Sequence, residues 1–371
     1  MKITAVRAHV LRLPEVSAIC EGTQDTCLIQ IETDAGIIGW GEVDSCPSVV
    51  KAVVEAPLSH QICNGLANAL VSADPLAVEA CMARMDAAAN YYGRVGVGAH
   101  AMAGINQALW DIAGKAHDAP IYQLFGGPFK KSFRAYCSIL FGDTPEATYD
   151  LARRHADMGF TAIKFGWGPM GQSEEHDIAL VREARRGAGQ DVDILVDAGQ
   201  VWDWKTALQR AKSFADYDIF WLEEPLHPQD VAGYSQLCAA SPVPIATGEA
   251  ESNLTDFEHL LTKGEIDWVQ PDPGRCGISN MVAVGRMAHK MHRKVVNHSF
   301  KGGITIAASL HGLAAVPHGE VFEYCMADSP LRHELTHEQF EVIDGYVHIP
   351  EAPGLGITVN ESTLEKYSVS S

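Results

Sequence analysis

Residues 194–225 read ILVDAGQVWDWKTALQRAKSFADYDIFWLEEP, and this stretch decides the fold. The apolar run Ile194–Val196 ends in Asp197, and a second run, Phe220–Leu222, ends in Glu223. Between them the pattern reads as a turn and a helix near 203–215. Strand, helix and strand, with a polar group at the C-terminal end of each strand, is one unit of a β/α barrel. The unit continues downstream. Apolar runs end at Glu249 in PIATGEA, Asp272 in WVQPDPG, His298 in KVVNHSF and Glu323 in VFEYCM, each 23 to 26 residues after the last. That interval holds one strand, one helix and two loops.

Upstream, FRAYCSIL and TAIKFGW complete a set of eight strands. Helical stretches fall between them near 145–158, 173–187, 203–215, 229–240, 253–263, 278–291 and 303–315. The class is α/β, and the expected architecture over residues 126–332 is a (β/α)7β TIM-type barrel. Residues 1–125 read as a compact α+β domain. Ile3–Leu13 alternates, and Cys27–Glu32 and Ile37–Gly41 flank a turn as a hairpin would. Helices are expected near 48–63, 75–90 and 98–117, followed by YQLFGGP as a linker. The tail, 333–371, carries another strand-like piece and the Gly/Pro-rich EAPGLGI, and is expected to pack back on the N-terminal domain.

With 47% hydrophobic and 20% charged residues the chain reads as an ordinary globular protein. It holds no uncharged apolar run of the roughly 18 residues that would suggest a membrane span. Its start, MKITAVRAHVLRLP, alternates as a strand does rather than as a signal peptide. Nine cysteines lie scattered without a CxxC pair, the pattern of reduced thiols in a cytoplasmic protein. A net charge of −19 argues against a nucleic-acid partner. It also means that an anionic substrate would need a local cation to overcome the global field.

Asp197, Glu223 and Glu249 close three consecutive strands. Adjacent strands lie about 4.8 Å apart, so three inward carboxylates at one level converge on a point. Left alone they would repel and raise one another's pKa. A hard divalent ion resolves this, and an all-oxygen donor set suits Mg²⁺, or Mn²⁺, rather than zinc. Only one Glu of WLEEP can face the centre: Glu223 is level with Asp197, and Glu224 is left for a structural contact. Asp272 and His298 end the next two strands. An Asp bonded to one ring nitrogen fixes the tautomer and raises the basicity of the other, so His298 is a candidate general base or acid.

Together these residues resemble the enolase superfamily, and within it the mandelate racemase-like subgroup. The resemblance covers nearly the whole chain and rests on ALWDIAGKAHDAPIYQLFGG, WLEEP, ATGE, QPDPGRCGI and NHSF taken in concert. It implies an N-terminal capping domain, completed by the C-terminal tail, whose loops set specificity. It also implies abstraction of a proton α to a carboxylate, with Mg²⁺ stabilising the enediolate. By position, Asp197, Glu223 and Glu249 would be the metal ligands, Asp272 and His298 the dyad, and Glu323 a hydrogen-bonding group near the substrate carboxylate. Lys164, in AIKFGW, matches the first Lys of the family's Lys-x-Lys, the group that steadies the substrate carboxylate and the enediolate. The structural alternative for Lys164 is a salt bridge to one of the ligand acids, which is compatible with that role.

Two positions depart from the family pattern. Gly166 stands where the second Lys, the base on the opposite face, would be, and glycine transfers no proton. Gly199 stands where the family often has Asn. With one clear acid/base the expectation is dehydration of a sugar acid, an aldonate or aldarate, to a 2-keto-3-deoxy acid. Either His298 or Lys164 could abstract the proton. The alternatives are an isomerase (epimerase, racemase or lactone cycloisomerase) and a non-catalytic metal-binding member. The expected partner is a small anionic sugar acid, and the resemblance suggests a homo-oligomer. Candidate specificity segments are Glu15–Asp25 (with Glu15, Glu21 and Asp25) and Asp44–Ser48. Tyr91, Tyr92 and Arg94 are possible walls, Trp167 and Trp202 possible pocket residues, and His227 lies near the barrel mouth without assigned chemistry.

Overall fold

The computed structural model describes residues 1–369. Its first three strands, β1 (Ile3–Arg12), β2 (Asp25–Thr33) and β3 (Ile38–Val43), form an antiparallel sheet in that order. One face is covered by the helix Val97–Ala116. Ala and Gly at its contact face allow a close approach: a Cβ added to Gly41 would lie 2.0 Å from the Gly104 carbonyl. The expected helix from 48 to 63 is shorter, Pro47–Glu55. Ala56 precedes Pro57, whose ring disfavours a helical conformation in the residue before it, and Ala56 is extended at φ −55°, ψ 138°.

The eight expected barrel strands are all present: β4 (Ser132–Leu140), β5 (Ala162–Gly166), β6 (Asp193–Asp197), β7 (Ile219–Glu223), β8 (Ile245–Thr247), β9 (Trp268–Val269), β10 (Lys294–Val295) and β11 (Val321–Cys325). They pair in parallel from β4 to β10, and β11 pairs with β4. The seam between β10 and β11 holds one ladder bridge, Val295 with Gly319. Above it the Asn297 carboxamide replaces the ladder, accepting from Glu323 N at 3.0 Å and donating to Glu323 O at 3.4 Å. The closure therefore also fixes the backbone of a strand-end acid.

Strand side chains alternate, so residues two apart share a face. Tyr136, Ala162, Leu195, Trp221, Ala246, Trp268, Val296 and Val321 make an apolar plug inside the barrel. Two residues further along four of these strands stand Ser138, Lys164, Asp197 and Glu223, all buried. Fully burying a large apolar side chain contributes roughly 1.5–3 kcal/mol, so the plug can support a polar, costly layer above it.

The tail divides its contacts. The hairpin β12 (Val342–Ile343) and β13 (Tyr346–His348) adds β13 antiparallel to β4, so this part docks on the barrel. Beyond it the chain returns to the N-terminal half, where Leu355 N donates to Asp111 Oδ1 at 2.9 Å and Val369 N to Val10 O at 2.9 Å.

His311, on the helix Gly303–Ala314, is fully buried beside Tyr122, whose N–H it accepts at Nδ1 (3.3 Å). Burial pushes its pKa down to about 4. The unfolded chain then binds more protons than the folded one between about pH 6.5 and 4. This contribution to stability is present above that window and is lost as pH falls through it, at most a few kcal/mol for the whole shift. Urea unfolding at pH 5 and 8 should show a smaller pH difference in His311→Gln than in the wild type. An unchanged difference would remove His311 as the cause.

Candidate active site

The predicted metal ligands and catalytic candidates, Asp197, Glu223, Glu249, Asp272, His298, Lys164 and Glu323, lie along or just beyond the C-terminal parts of barrel strands. Asp197 and Glu223 face each other in register across β6 and β7, and Glu249 follows β8 by two residues. Their ligand oxygens lie within 4.8 Å of one another, and all three residues are buried. Burial and the neighbouring Glu223 carboxylate push Asp197 well above the ordinary carboxylate range. Three such acids held this close fit a hard divalent cation, whose charge would offset their repulsion.

Local sequence explains the poses. Asp197 Oδ1 accepts Gly199 N at 2.9 Å, in a turn where Gly199 has φ +65°. A Cβ at Gly199 would meet the Trp167 ring at 2.9 Å, so glycine here accompanies a tryptophan that packs onto the turn. Glu224, at φ +40°, turns away from the triad to accept Gln200 Nε2 at 2.6 Å, the structural contact expected of it.

Asp272 is the N-cap of the helix Pro273–Lys290, accepting Gly274 N at 2.6 Å, with Pro at the first helical turn. Its other oxygen accepts His298 Nδ1–H at 2.6 Å. The free ring nitrogen, Nε2, faces the carboxylates, 3.4 Å from Glu249 Oε2 and 4.0 Å from Glu323 Oε2. Burial alone would lower the His298 pKa, but Glu249, Glu323 and the bond to Asp272 outweigh it and raise it to about 10. A cation among the carboxylates would draw that value back toward the range of a general base.

Lys164 reaches Glu223 Oε1 at 2.5 Å and Glu323 Oε1 at 2.6 Å, with Asp197 Oδ2 at 4.0 Å. Glu323 also accepts Ser138 Oγ at 2.8 Å and Ser299 N at 2.7 Å. Burial would raise the Glu323 carboxyl, yet Lys164 and His298 hold it down at about 2. Gly166 lines the same pocket, and a Cβ there would lie 2.9 Å from Asp197 Oδ2, so a longer side chain would displace that carboxylate.

Two cations of the site, Arg275 and Lys301, have no expected role in the sequence reading, and both engage Asp44 of the candidate loop Asp44–Ser48. Arg275 bridges the halves, binding Asp44 Oδ2 at 2.7 Å and Glu249 Oε1 at 3.1 Å. Its guanidinium and Lys301 hold the Asp44 carboxyl well below the usual range against the opposing effect of burial. Lys301 is itself buried and donates to the carbonyls of Gly22 and Asp25, fastening the capping loop over the mouth. Proximity was the available signal, since Arg275 and Lys301 each follow a dyad residue by three positions.

Several specificity candidates lie elsewhere. The pocket, about 260 Å³, is lined from the capping domain by Cys20, Gly22 and Asp44. Glu15 and Asp25 do not line it, and Glu21 turns back to accept Thr23 N and Oγ1. Tyr91 is 65% exposed, Tyr92 donates to the Asn64 carbonyl, and the Arg94 carbonyl accepts from Asn253. The segment meets the loop after β8 outside the pocket, where Val95 and Gly96 share a cleft with Ala250, Glu251 and Ser252. Trp167 lines the pocket, whereas Trp202 belongs to the core, and His227 lies in a separate cleft with Gln229 and His259.

Comparison with known proteins agrees with this geometry. Residues 2–126 match the mandelate racemase / muconate lactonizing enzyme N-terminal domain, and residues 147–363 match the enolase C-terminal domain-like family. The chain is 32% identical to the D-galactarolactone cycloisomerase of Agrobacterium fabrum, over 99% of each chain. It is 30% identical to the arabinonate dehydratase of Saccharolobus solfataricus, over 96% of this chain and 94% of that one. The crystal structure of a predicted mandelate racemase from Rhodobacter sphaeroides superposes with a TM-score of 0.92 at 33% identity, covering 100% of this chain and 96% of the other. Barrel, capping domain, strand-end acids and family matches coincide along the chain: it belongs to the mandelate racemase / muconate lactonizing enzyme family of the enolase superfamily.

Proposed function

We propose that this chain is a divalent-metal-dependent dehydratase of a sugar acid. The observation that carries the reading is that, among the described residues, one imidazole faces the carboxylate cluster, His298 on Asp272, with glycine at the end of β5. Asp197, Glu223 and Glu249 would hold Mg²⁺, or Mn²⁺. When bound, such an ion supplies positive charge to a substrate carboxylate as its α carbon loses a proton.

The chain's residues supply the proton transfers. Neutral His298 Nε2 takes the α proton, breaking the C–H bond, while Asp272 holds Nδ1–H and stabilises the imidazolium. The electron pair forms a Cα–Cβ double bond, the β C–O bond breaks, and Nε2–H passes its proton to the departing hydroxyl, which leaves as water. The resulting enol tautomerises to a 2-keto-3-deoxy acid. Lys164, engaged by Glu223 and Glu323, lies beside the carboxylate rather than free as a second base. Its charge and the Glu323 carboxyl would orient the substrate carboxylate. A homo-oligomer of such chains acting on a small organic anion completes the proposal.

The test is a screen of aldonic and aldaric acids with Mg²⁺, scored for 2-keto-3-deoxy product. One equivalent of keto acid per acid consumed is the expected outcome. A second reading, isomerisation or lactone cycloisomerisation, is favoured by the similarity to the Agrobacterium cycloisomerase. Solvent deuterium in an isomerised product, without keto acid, would decide for it.

A further inference from the structure

The Arg275 guanidinium is shared among carboxylates from both halves of the chain. Nη2 binds Asp44 Oδ2 at 2.7 Å, and Nη1 binds Glu249 Oε1 at 3.1 Å and the Glu249 carbonyl at 3.0 Å. Nε lies 4.0 Å from Asp272 Oδ2. Asp44 comes from the capping domain, Glu249 from the acid cluster and Asp272 from the dyad. Asp44 also grips the segment that carries Arg275, because its N–H donates to the Gly274 carbonyl at 3.1 Å. Its second oxygen lies 3.5 Å from Lys301 Nζ, which donates to the carbonyls of Gly22 and Asp25. One capping-domain carboxylate therefore joins the loop over the mouth to the arginine that holds a metal-ligand candidate.

A positive charge beside a cation site opposes binding unless a negative charge balances it. Arg275 and a divalent ion would draw on the same Glu249 carboxylate. With Asp44 in place the arginine is balanced from the capping side, and its hydrogen bond goes to Glu249 Oε1 while Oε2 faces His298 Nε2. Among the described residues, the other carboxylates within 4.0 Å of the guanidinium are Glu249 and Asp272. Without Asp44, Arg275 would compete with the ion for the first and with His298 for the second.

We propose that Asp44 is a positioning residue for the metal site: docked on Arg275 it balances that charge, so cation binding and docking of the capping loops strengthen one another. The coupling is reciprocal, since whatever factor docking adds to cation affinity the bound cation adds to docking. The inference rests on the divalent-metal reading above and gives the capping domain a part in it.

The test is Mg²⁺ binding by calorimetry, without substrate and at one ionic strength, in the wild type, Asp44→Asn, Arg275→Gln and the double variant. Asp44→Asn should weaken Mg²⁺ about tenfold or more, the scale of one uncompensated charge in a partly buried site. In the Arg275→Gln background the same change should cost only a few fold, because the direct field of Asp44 is all that is then lost. Equal losses in the two backgrounds overturn the inference, as does an Asp44→Asn variant that binds Mg²⁺ like the wild type. Hydrogen exchange on the wild type gives a second reading that needs no variant. Saturating Mg²⁺ should slow exchange severalfold in residues 17–26 and 43–46, with little effect in the helix Val78–Ala88, which does not line the pocket. Exchange in those two loops that ignores bound Mg²⁺ overturns the inference. A wild type that binds no Mg²⁺ overturns the metal reading and this one with it, whereas Mg²⁺ binding that is indifferent to Asp44 overturns this one alone.

Discussion

His298→Asn is expected to lower kcat by about 10²- to 10⁴-fold, the usual worth of a positioned proton-transfer group, with little change in KM. Asparagine preserves a hydrogen-bonding group near Asp272 but has no atom that can accept and return a proton at neutral pH. In the structure Nε2 is the imidazole atom aimed at the acid cluster, 3.4 Å from Glu249 Oε2, and among the described residues no other imidazole lines the pocket. The measurement is steady-state turnover on an acid from the product screen, with circular dichroism to show that the variant folds. Asp272→Asn should also reduce kcat, because it removes the charge that stabilises the imidazolium. Full turnover by His298→Asn would make this mechanism wrong. Retained α-proton exchange with solvent in that variant, without elimination, would move the base to Lys164 and leave His298 with the leaving group.

The second large effect is thermodynamic. Mg²⁺ at one hundred times its Kd should stabilise the wild-type fold by about 2.7 kcal/mol, and the melting temperature should rise by a few degrees. Asp197→Asn should lose most of that shift. The same variant should be at least as stable as the wild type in EDTA. Asp197 is buried beside Glu223 and Glu249, and its charge is opposed both by burial and by those carboxylates. Lys164 lies 4.0 Å away and is committed at shorter range to Glu223 and Glu323. Removing the charge therefore relieves repulsion in the metal-free protein while deleting a ligand. Differential scanning calorimetry with and without Mg²⁺ reads both effects. A wild type that gains nothing from Mg²⁺, or a variant that gains as much, would remove the triad as a metal site.

The strand ends were legible because inward direction along a strand is a local property. A period of two carries Leu195 into the apolar plug and Asp197 into the layer above it, and does the same for Trp221 and Glu223. Once the runs were placed as strands, alternation and constant spacing brought their polar ends to one level. The dyad was legible for a related reason. Asp272 begins a helix through Asp-Pro-Gly, which orients its carboxylate before any tertiary contact forms. The glycine at the end of β5 was legible as a vacancy in the ladder, and the structure adds that Asp197 closes against it.

The capping loops were read less well. The two candidate segments do reach the pocket, through Cys20 and Gly22 of Glu15–Asp25 and through Asp44 of Asp44–Ser48, but the side chains singled out, Glu15, Glu21, Asp25, Tyr91, Tyr92 and Arg94, do not line it. Their placement depends on contacts between residues far apart in the chain. Glu42 accepts from Thr26, Gly302 and Thr305, and Gln107 donates to both Glu42 O and Pro273 O. Lys301 reaches the carbonyls of Gly22 and Asp25. No periodicity in the sequence encodes such pairings. The split docking of the tail, with β13 on β4 and the last turn on β1, has the same origin.

By itself, then, the sequence determined the barrel, the order of its rungs and which rungs carry carboxylate, imidazole or nothing, because each follows from a short repeating pattern of burial. Only the tertiary structure decided which capping residues close the mouth and how Arg275 and Lys301 tie the two halves together. Those features arise where two separately patterned halves meet, and the free energy that selects them is shared among groups distant in the chain.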